Sequence, residues 1–380
     1  MSGGERPGGG ILDDLPALRR LDQSGMLAAS AALPGQVRDA WSRSRSLALP
    51  DGHRAARAVA VLGMGGSAIG GDLVRGIWSD RLRVPIEVVR GYDLPAWVGP
   101  DTLVVASSYS GATEETISTF GHAVERRAPV AIISTGGTLL DVARRASLPN
   151  LSFPGGGQPR AAVGYAITLL AGLLERAGML DLGEDEVLAA VATADAGVSA
   201  YAPEVPTADN AAKQLAWSIV DRMPVIEASG FLGAVARRWK TQLNENSKSV
   251  AAYEELPEAT HNAVVGYPQP DGLRDHQLVV FLESDVDHPR NALRGRLSRE
   301  LLDASGISHH VVSAVGPSRF ARALDAIVLG DFTSVYLAGL YGIDPTPVDA
   351  ISELKQALAL SDRPAAADIE DDTDNTDDDR

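Results

Sequence analysis

Residues 58–74 read Ala58-Val-Ala-Val-Leu-Gly63-Met-Gly-Gly-Ser67-Ala-Ile-Gly-Gly-Asp-Leu-Val74: an apolar run, a glycine cluster and then a helical pattern. An apolar run that stops on glycine and restarts as a helix is the mark of a buried parallel strand feeding a crossover helix. Six more short runs repeat the signal: IEVV (86–89), TLVVAS (102–107), VAIIS (130–134), VIEAS (225–229), QLVVFLES (277–284) and HHVVSA (309–314). They form two groups, separated by a helical stretch from about Ala161 to Arg222 that Pro203 and Pro206 interrupt. PVIEASGFLGAVARRW (224–239) repeats the strand, small-residue turn and helix layout of the first motif. The expected fold class is α/β, with two domains, each a parallel sheet flanked by helices. Residues 11–200 are assigned to the first domain, with an N-terminal helical arm, and 207–362 to the second. The glycine-rich 1–10 and the acidic 364–380 lack apolar residues to bury and are expected to be a flexible and a disordered tail.

Composition narrows the function. The 380 residues carry 34 Lys and Arg against 50 Asp and Glu, a formal net charge of −16, and residues 368–380 alone hold eight acids and one base. A duplex-binding protein needs a basic face that this balance does not offer, so nucleic acid is not an expected partner. Cysteine is absent, which removes disulfides, thiolate nucleophiles and Cys-based metal centres. The N-terminus MSGGERPGGG has no apolar signal core. The longest uncharged apolar stretch, Ala161–Leu174, is shorter than a membrane span, so no membrane association and a cytoplasmic location are expected.

Three segments could carry chemistry. The glycines around Gly65 and Gly66, with Ser67, stand where backbone N–H groups and a helix N-terminus can receive a phosphate. The same pattern fits a tight turn without a ligand, and Gly63, Gly65 and Ala68 also satisfy the dinucleotide fingerprint. That fingerprint expects an acid at the end of the second strand, where Arg90 stands instead. The second segment, Ser107-Ser108-Tyr109-Ser110-Gly111-Ala112-Thr113-Glu114-Glu115, can surround a small phosphate with hydroxyls, or can simply cap a helix. The third spans Trp239 to Lys248, with His261-Asn262 beyond. On a helix from about Phe231, Leu232, Val235, Ala236, Trp239 and Leu243 share an apolar stripe and Glu245 lies opposite, which suits a solvated face as well as a catalytic one.

Taken together these pieces resemble the bifunctional phosphoglucose/phosphomannose isomerase family, built from two SIS (sugar isomerase) domains. The resemblance runs from about Leu12 to Leu360 through GMGGSAIGGDL (63–73), SSYSGATEET (107–116), QPRAA (158–162), NENSK (244–248), HN (261–262), GDFTSVYLAGLYGIDPTPV (330–348) and ISELK (351–355). It implies that Gly65, Gly66, Ser67, Ser108, Ser110 and Thr113 bind the sugar phosphate. Glu245 is then the base that moves a proton between C1 and C2. His261 opens the sugar ring and comes from the other subunit of a homodimer with shared sites. Arg160 and Lys355 match the positive residues near the substrate. Ala112 stands where the family pattern has Asn, and the acidic tail is an addition.

The implied reaction interconverts glucose 6-phosphate and/or mannose 6-phosphate with fructose 6-phosphate, with no metal and no cofactor. A ring-opening acid/base group, a carboxylate over C1–C2 and positive charge near the enediolate are the residue types it needs. One rival is a non-catalytic sugar-phosphate-binding regulatory protein, which would need neither Glu245 nor His261. The other is an NADP-dependent oxidoreductase with a pyrophosphate on the first loop. Epimer preference rests on contacts to one hydroxyl, for which Thr346 is the candidate.

Overall fold

The computed structural model describes residues 10–361. The tails expected at 1–10 and 364–380 lie outside the described residues, except for Gly10, whose carbonyl accepts from the amides of Asp13 and Asp14. The chain divides into two compact units, one running to Thr346 and the other starting at Pro347.

The first unit contains both sheets. Strands β1 (Ala58–Leu62), β2 (Ile86–Val89), β3 (Thr102–Ser108), β4 (Val130–Ser134) and β5 (Asn150–Ser152) form one sheet in the order β2-β1-β3-β4-β5. Strands β6 (Met223–Ser229), β7 (Ala252–Leu256), β8 (Gln277–Glu283) and β9 (His309–Ser313) form the other, in the order β7-β6-β8-β9. Every strand pair is parallel. The central strands are mostly apolar because helices cover both faces: β3 is buried along its whole length. β5 and β7, both edge strands, are not among the apolar runs of the sequence. β5 is three residues long, and β7 (AYEEL) carries two Glu on a half-buried edge, so neither produces an apolar run.

The core lies between the sheets. Helix Arg319–Leu340 packs against helices Glu184–Ala200, Ala211–Ile219 and Gly233–Asn246. Helix Gly65–Ile77 packs against Val163–Arg176 and also touches Gly233–Asn246. Helix Arg319–Leu340 is long and apolar enough to cross a membrane, but 89% of that apolar window is buried inside the protein, as expected of a core helix. Trp239 is 1% exposed and its indole N–H donates to the carbonyl of Ala326 at 2.9 Å, joining the Gly233 helix to that core helix.

A carboxylate is buried on the outer face of the second sheet. Glu227 on β6 is 1% exposed and accepts from the hydroxyl of Tyr267 at 3.2 Å. Burial pushes its carboxyl up to about 7; the Tyr267 bond and Arg299 oppose the rise, and Glu254 and Glu283 add to it. The folded state therefore holds a proton that the unfolded chain releases near the ordinary glutamate value, and stability falls as pH rises from about 4.5 to about 7. Glu227→Gln should remove that dependence and stabilise the protein at pH 8 by an amount of order 3 kcal/mol, at 1.36 kcal/mol per pKa unit. Denaturant titrations at pH 5 and pH 8 check it: the gain should be present at pH 8 and small at pH 5.

The second unit contains the helix Asp349–Ser361, which starts after Val348, whose carbonyl accepts from the amides of Ile351 and Ser352. Lys355 lies on this helix and is exposed.

Candidate active site

In an open parallel sheet, ligands gather at the carboxyl ends of the strands where the strand order reverses. In the first sheet that point lies between β1 and β3. The glycine loop follows β1, and the serine loop follows β3, so the two segments singled out in the sequence meet there. Tyr109 N–H donates to the hydroxyl of Ser67 at 3.0 Å, bridging the loops.

The serine loop is held by its own hydroxyls. Ser108 Oγ lies 2.9 Å from Thr113 Oγ1 and accepts from the amide of Gly111 at 3.1 Å, and Ser110 Oγ accepts from the amide of Ala112 at 3.2 Å. Thr113 is the N-cap of helix Glu114–Glu125 but makes no side-chain capping bond. The capping reading therefore does not describe these hydroxyls. Ser67 and Ser110 accept from backbone N–H groups and keep their own protons to donate, the arrangement a phosphate oxygen needs. Two glycines make the loops possible. Gly111 has φ +65°, and a Cβ there would collide with the carbonyl of Gly136. A Cβ on Gly66 would sit 2.8 Å from the carbonyl of Pro159, so glycine lets the turn Pro159–Ala161 lie against the start of the helix.

That turn supplies Arg160, which is 3% exposed. Its Nε donates to Asn246 Oδ1 at 2.6 Å. Nη1 donates to Gln158 Oε1 at 3.2 Å and to Glu245 Oε2 at 3.4 Å. Nη2 donates to the carbonyls of Pro345 and Thr346 at 2.9 and 2.8 Å. All five guanidinium protons have protein acceptors. Burial lowers the Arg160 pKa from its ordinary value, and the Glu245 charge opposes that shift. Glu245 stands in the last turn of helix Gly233–Asn246 with its side chain 29% exposed, and its Oε1 accepts no hydrogen bond among the described residues. Lys248, at φ +52°, turns back over the helix end and donates to the carbonyls of Glu245, Asn246, Asp344 and Pro345. A cation there offsets the negative pole of the helix and satisfies its last carbonyls.

The structure thus gathers Gly65, Gly66, Ser67, Ser108, Ser110 and Thr113 at one strand switch, and joins Arg160 to Glu245 through the turn that Gly66 admits. His261 ends the short 3-10 turn Glu258–His261 after β7; it is exposed, and its side chain makes no hydrogen bond among the described residues. Lys355 belongs to the second unit. Arg90, the residue that kept an NADP reading open, is bonded to the buried Asp72, which Arg237 also contacts at 3.0 Å. The sequence reading missed Asn246, Gln158 and Lys248 as partners. Their adjacency to Arg160 and Glu245 in QPRAA and NENSK was the available signal.

The second sheet has a corresponding switch between β6 and β8. Its β8 loop, Ser284-Asp285-Val286-Asp287, sets two carboxylates beside a single hydroxyl, so the two sheets share a layout while the second switch lacks the hydroxyl cluster of the first.

The family model described as bacterial phospho-glucose isomerase C-terminal SIS domain matches residues 208–358. A bifunctional phosphoglucose/phosphomannose isomerase of Caldicellulosiruptor bescii is 38% identical over 328 residues, which is 86% of this chain and 97% of that protein. Its namesake in Aquifex aeolicus is 33% identical over 303 residues, 80% of this chain and 90% of that one. Among solved structures, the C-terminal domain of glucosamine-fructose-6-phosphate aminotransferase from Francisella tularensis superposes with a TM-score of 0.69 at 13% identity, covering 85% of this chain and 98% of that one. At that identity the likeness speaks for the fold alone.

Proposed function

The chain belongs to the bifunctional phosphoglucose/phosphomannose isomerase family, enzymes of the sugar-phosphate isomerase class, and from that premise we propose that it interconverts glucose 6-phosphate and/or mannose 6-phosphate with fructose 6-phosphate. The observation that carries the reading is the Arg160–Glu245 pair: a partly exposed carboxylate with one free oxygen, held by a buried cation. The hydroxyls of Ser67, Ser108, Ser110 and Thr113, with the Gly65–Gly66 backbone, receive the 6-phosphate. Glu245 takes the proton from C2 of the open-chain aldose. The C2–H electron pair becomes the C1–C2 double bond of an enediolate as O1 takes the carbonyl pair; a proton then passes from the O2 hydroxyl to O1, the C2 carbonyl forms, and the abstracted proton returns at C1. C2 is oxidised and C1 reduced within one molecule, so no external redox partner enters. Positive charge from Arg160 favours the enediolate.

In this reading His261 of a partner subunit opens the ring, Lys355 adds positive charge, and the working form is a cytoplasmic homodimer. A coupled assay that offers fructose 6-phosphate and measures both aldose phosphates tests it. Turnover to either aldose supports the isomerase. Saturable binding without turnover would instead make the protein a sugar-phosphate-binding regulator.

The same mechanism routes every proton through side chains, and no group of three His, Asp or Glu at metal-ligand spacing occurs among the described residues. Exhaustive chelation should leave the rate unchanged. Activity that disappears and returns only with added divalent ion would overturn the proposed mechanism.

A further inference from the structure

Arg160 is held through both its side chain and its backbone by a closed circuit of buried groups. From the guanidinium, Nε donates to Asn246 Oδ1, Asn246 Nδ2 donates to Ser334 Oγ at 2.9 Å, and Ser334 Oγ donates to the carbonyl of Asp331 at 2.7 Å. The Asp331 carboxylate accepts from Arg238 Nη2 at 2.9 and 2.7 Å and from Gln242 Nε2 at 3.0 Å. Arg238 Nη2 then donates to the backbone carbonyl of Arg160 at 3.0 Å, which closes the circuit. None of these six residues is more than 3% exposed.

A buried ion pair is weak as a source of stability, because desolvation consumes most of its attraction and apolar residues can often replace it. What a buried, closed circuit does supply is a single orientation for the groups that it joins, although Arg238 Nε and Gln242 Oε1 find no hydrogen-bond partner among the described residues. The Asn246 amide has one orientation here. Arg160 can only donate, so Oδ1 faces it, and the Ser334 proton goes to Asp331, so Nδ2 faces Ser334. Accepting from Nε fixes the rotation of the guanidinium plane. Nη1 then faces Glu245, and Nη2 faces the carbonyls of Pro345 and Thr346. Asn246 and Glu245 are neighbours in one helical turn, so the acceptor that sets the cation moves with the carboxylate that the cation meets.

We propose that Asn246 is a positioning residue for isomerisation, holding Arg160 in the orientation that presents Nη1 to Glu245. The inference deepens the isomerase reading and rests on it.

The test is a double-substitution cycle on the full chain, reading kcat and KM for fructose 6-phosphate separately, with circular dichroism to verify folding. Asn246→Leu should lower kcat by about 10²-fold, the cost of a small misplacement in a reacting geometry, with little change in KM. In an Arg160→Lys background, where the fork is already gone, the same substitution should cost less than about twofold more, because coupled residues are not additive. Asn246→Asp keeps the acceptor for Nε and should hold kcat within about tenfold of wild type, a rescue by the conservative variant that tracks the orientation of the guanidinium. A folded Asn246→Leu protein with wild-type kcat would overturn the proposal, as would a loss that persists in full beside Arg160→Lys. If Asn246→Leu does not fold, Asn246→Asp decides, and a folded Asn246→Asp protein with kcat as low as that of Arg160→Lys overturns the proposal. The two readings fail separately: a fully active Glu245→Gln removes the base assignment, whereas additivity of Asn246 and Arg160 removes only the positioning role.

Discussion

Replacing Glu245 by Gln should lower kcat for fructose 6-phosphate isomerisation by about 10²–10⁴-fold, the range that follows loss of a general base. The substitution preserves size and keeps an acceptor for Arg160 Nη1, so the packing of the last helical turn is undisturbed. It removes only the ability to take a proton. The hydroxyls proposed to hold the phosphate sit on other elements, the loops after β1 and β3, so KM should change little. Steady-state kinetics together with exchange of the C2 proton into solvent check this. Near-wild-type turnover and exchange would move the proton-transfer role to another side chain.

The contrast between Glu245 and the phosphate loops explains how far the sequence could be read. The loops were legible because a parallel sheet dictates them: an apolar strand, a glycine and a helix start place a ligand-facing turn at a known end of the sheet. Strand order settled the rest, since β1 and β3 are adjacent at the switch and Ser67 reaches the serine loop. Glu245 was visible only through resemblance, because on the helix it occupies the side opposite the apolar stripe, where a solvated face is the ordinary outcome. Arg238, Gln242 and Asn246, spaced at i, i+4 and i+8, look equally solvated in sequence, yet all three are buried. Their burial depends on Asp331 and Ser334, which lie in the middle of an otherwise apolar helix about ninety residues on. A buried polar stripe is recognisable only when its partner stripe is in view. Two of the four edge strands, β5 and β7, go unread for a related reason, while β2 and β9 show as apolar runs. β5 and β7 are defined by their neighbours' hydrogen bonds, not by an apolar pattern of their own.

The position of His261 leads to the most discriminating expected result. Glu245 is tied to Arg160 of its own chain, while His261 is exposed on the turn after β7 and its side chain makes no hydrogen bond among the described residues. If His261 serves the Glu245 of a neighbouring subunit, Glu245→Ala and His261→Ala each break both sites of a dimer, and each variant alone should be nearly inactive. In a hybrid of the two, one site collects both lesions, and the other combines an intact Glu245 with an intact His261. Two-fold symmetry and random mixing make about half the dimers hybrids, each with one competent site of two, so roughly a quarter of wild-type activity should return on co-expression. Separately tagged chains, purified through both tags, would isolate the hybrids, which should then run at about half the wild-type rate by the same symmetry. If both residues served one site within a single chain, every site in every hybrid would lack one group and mixing would restore nothing. Inactive hybrids of demonstrated composition would therefore rule out the shared site and return His261 to its own subunit.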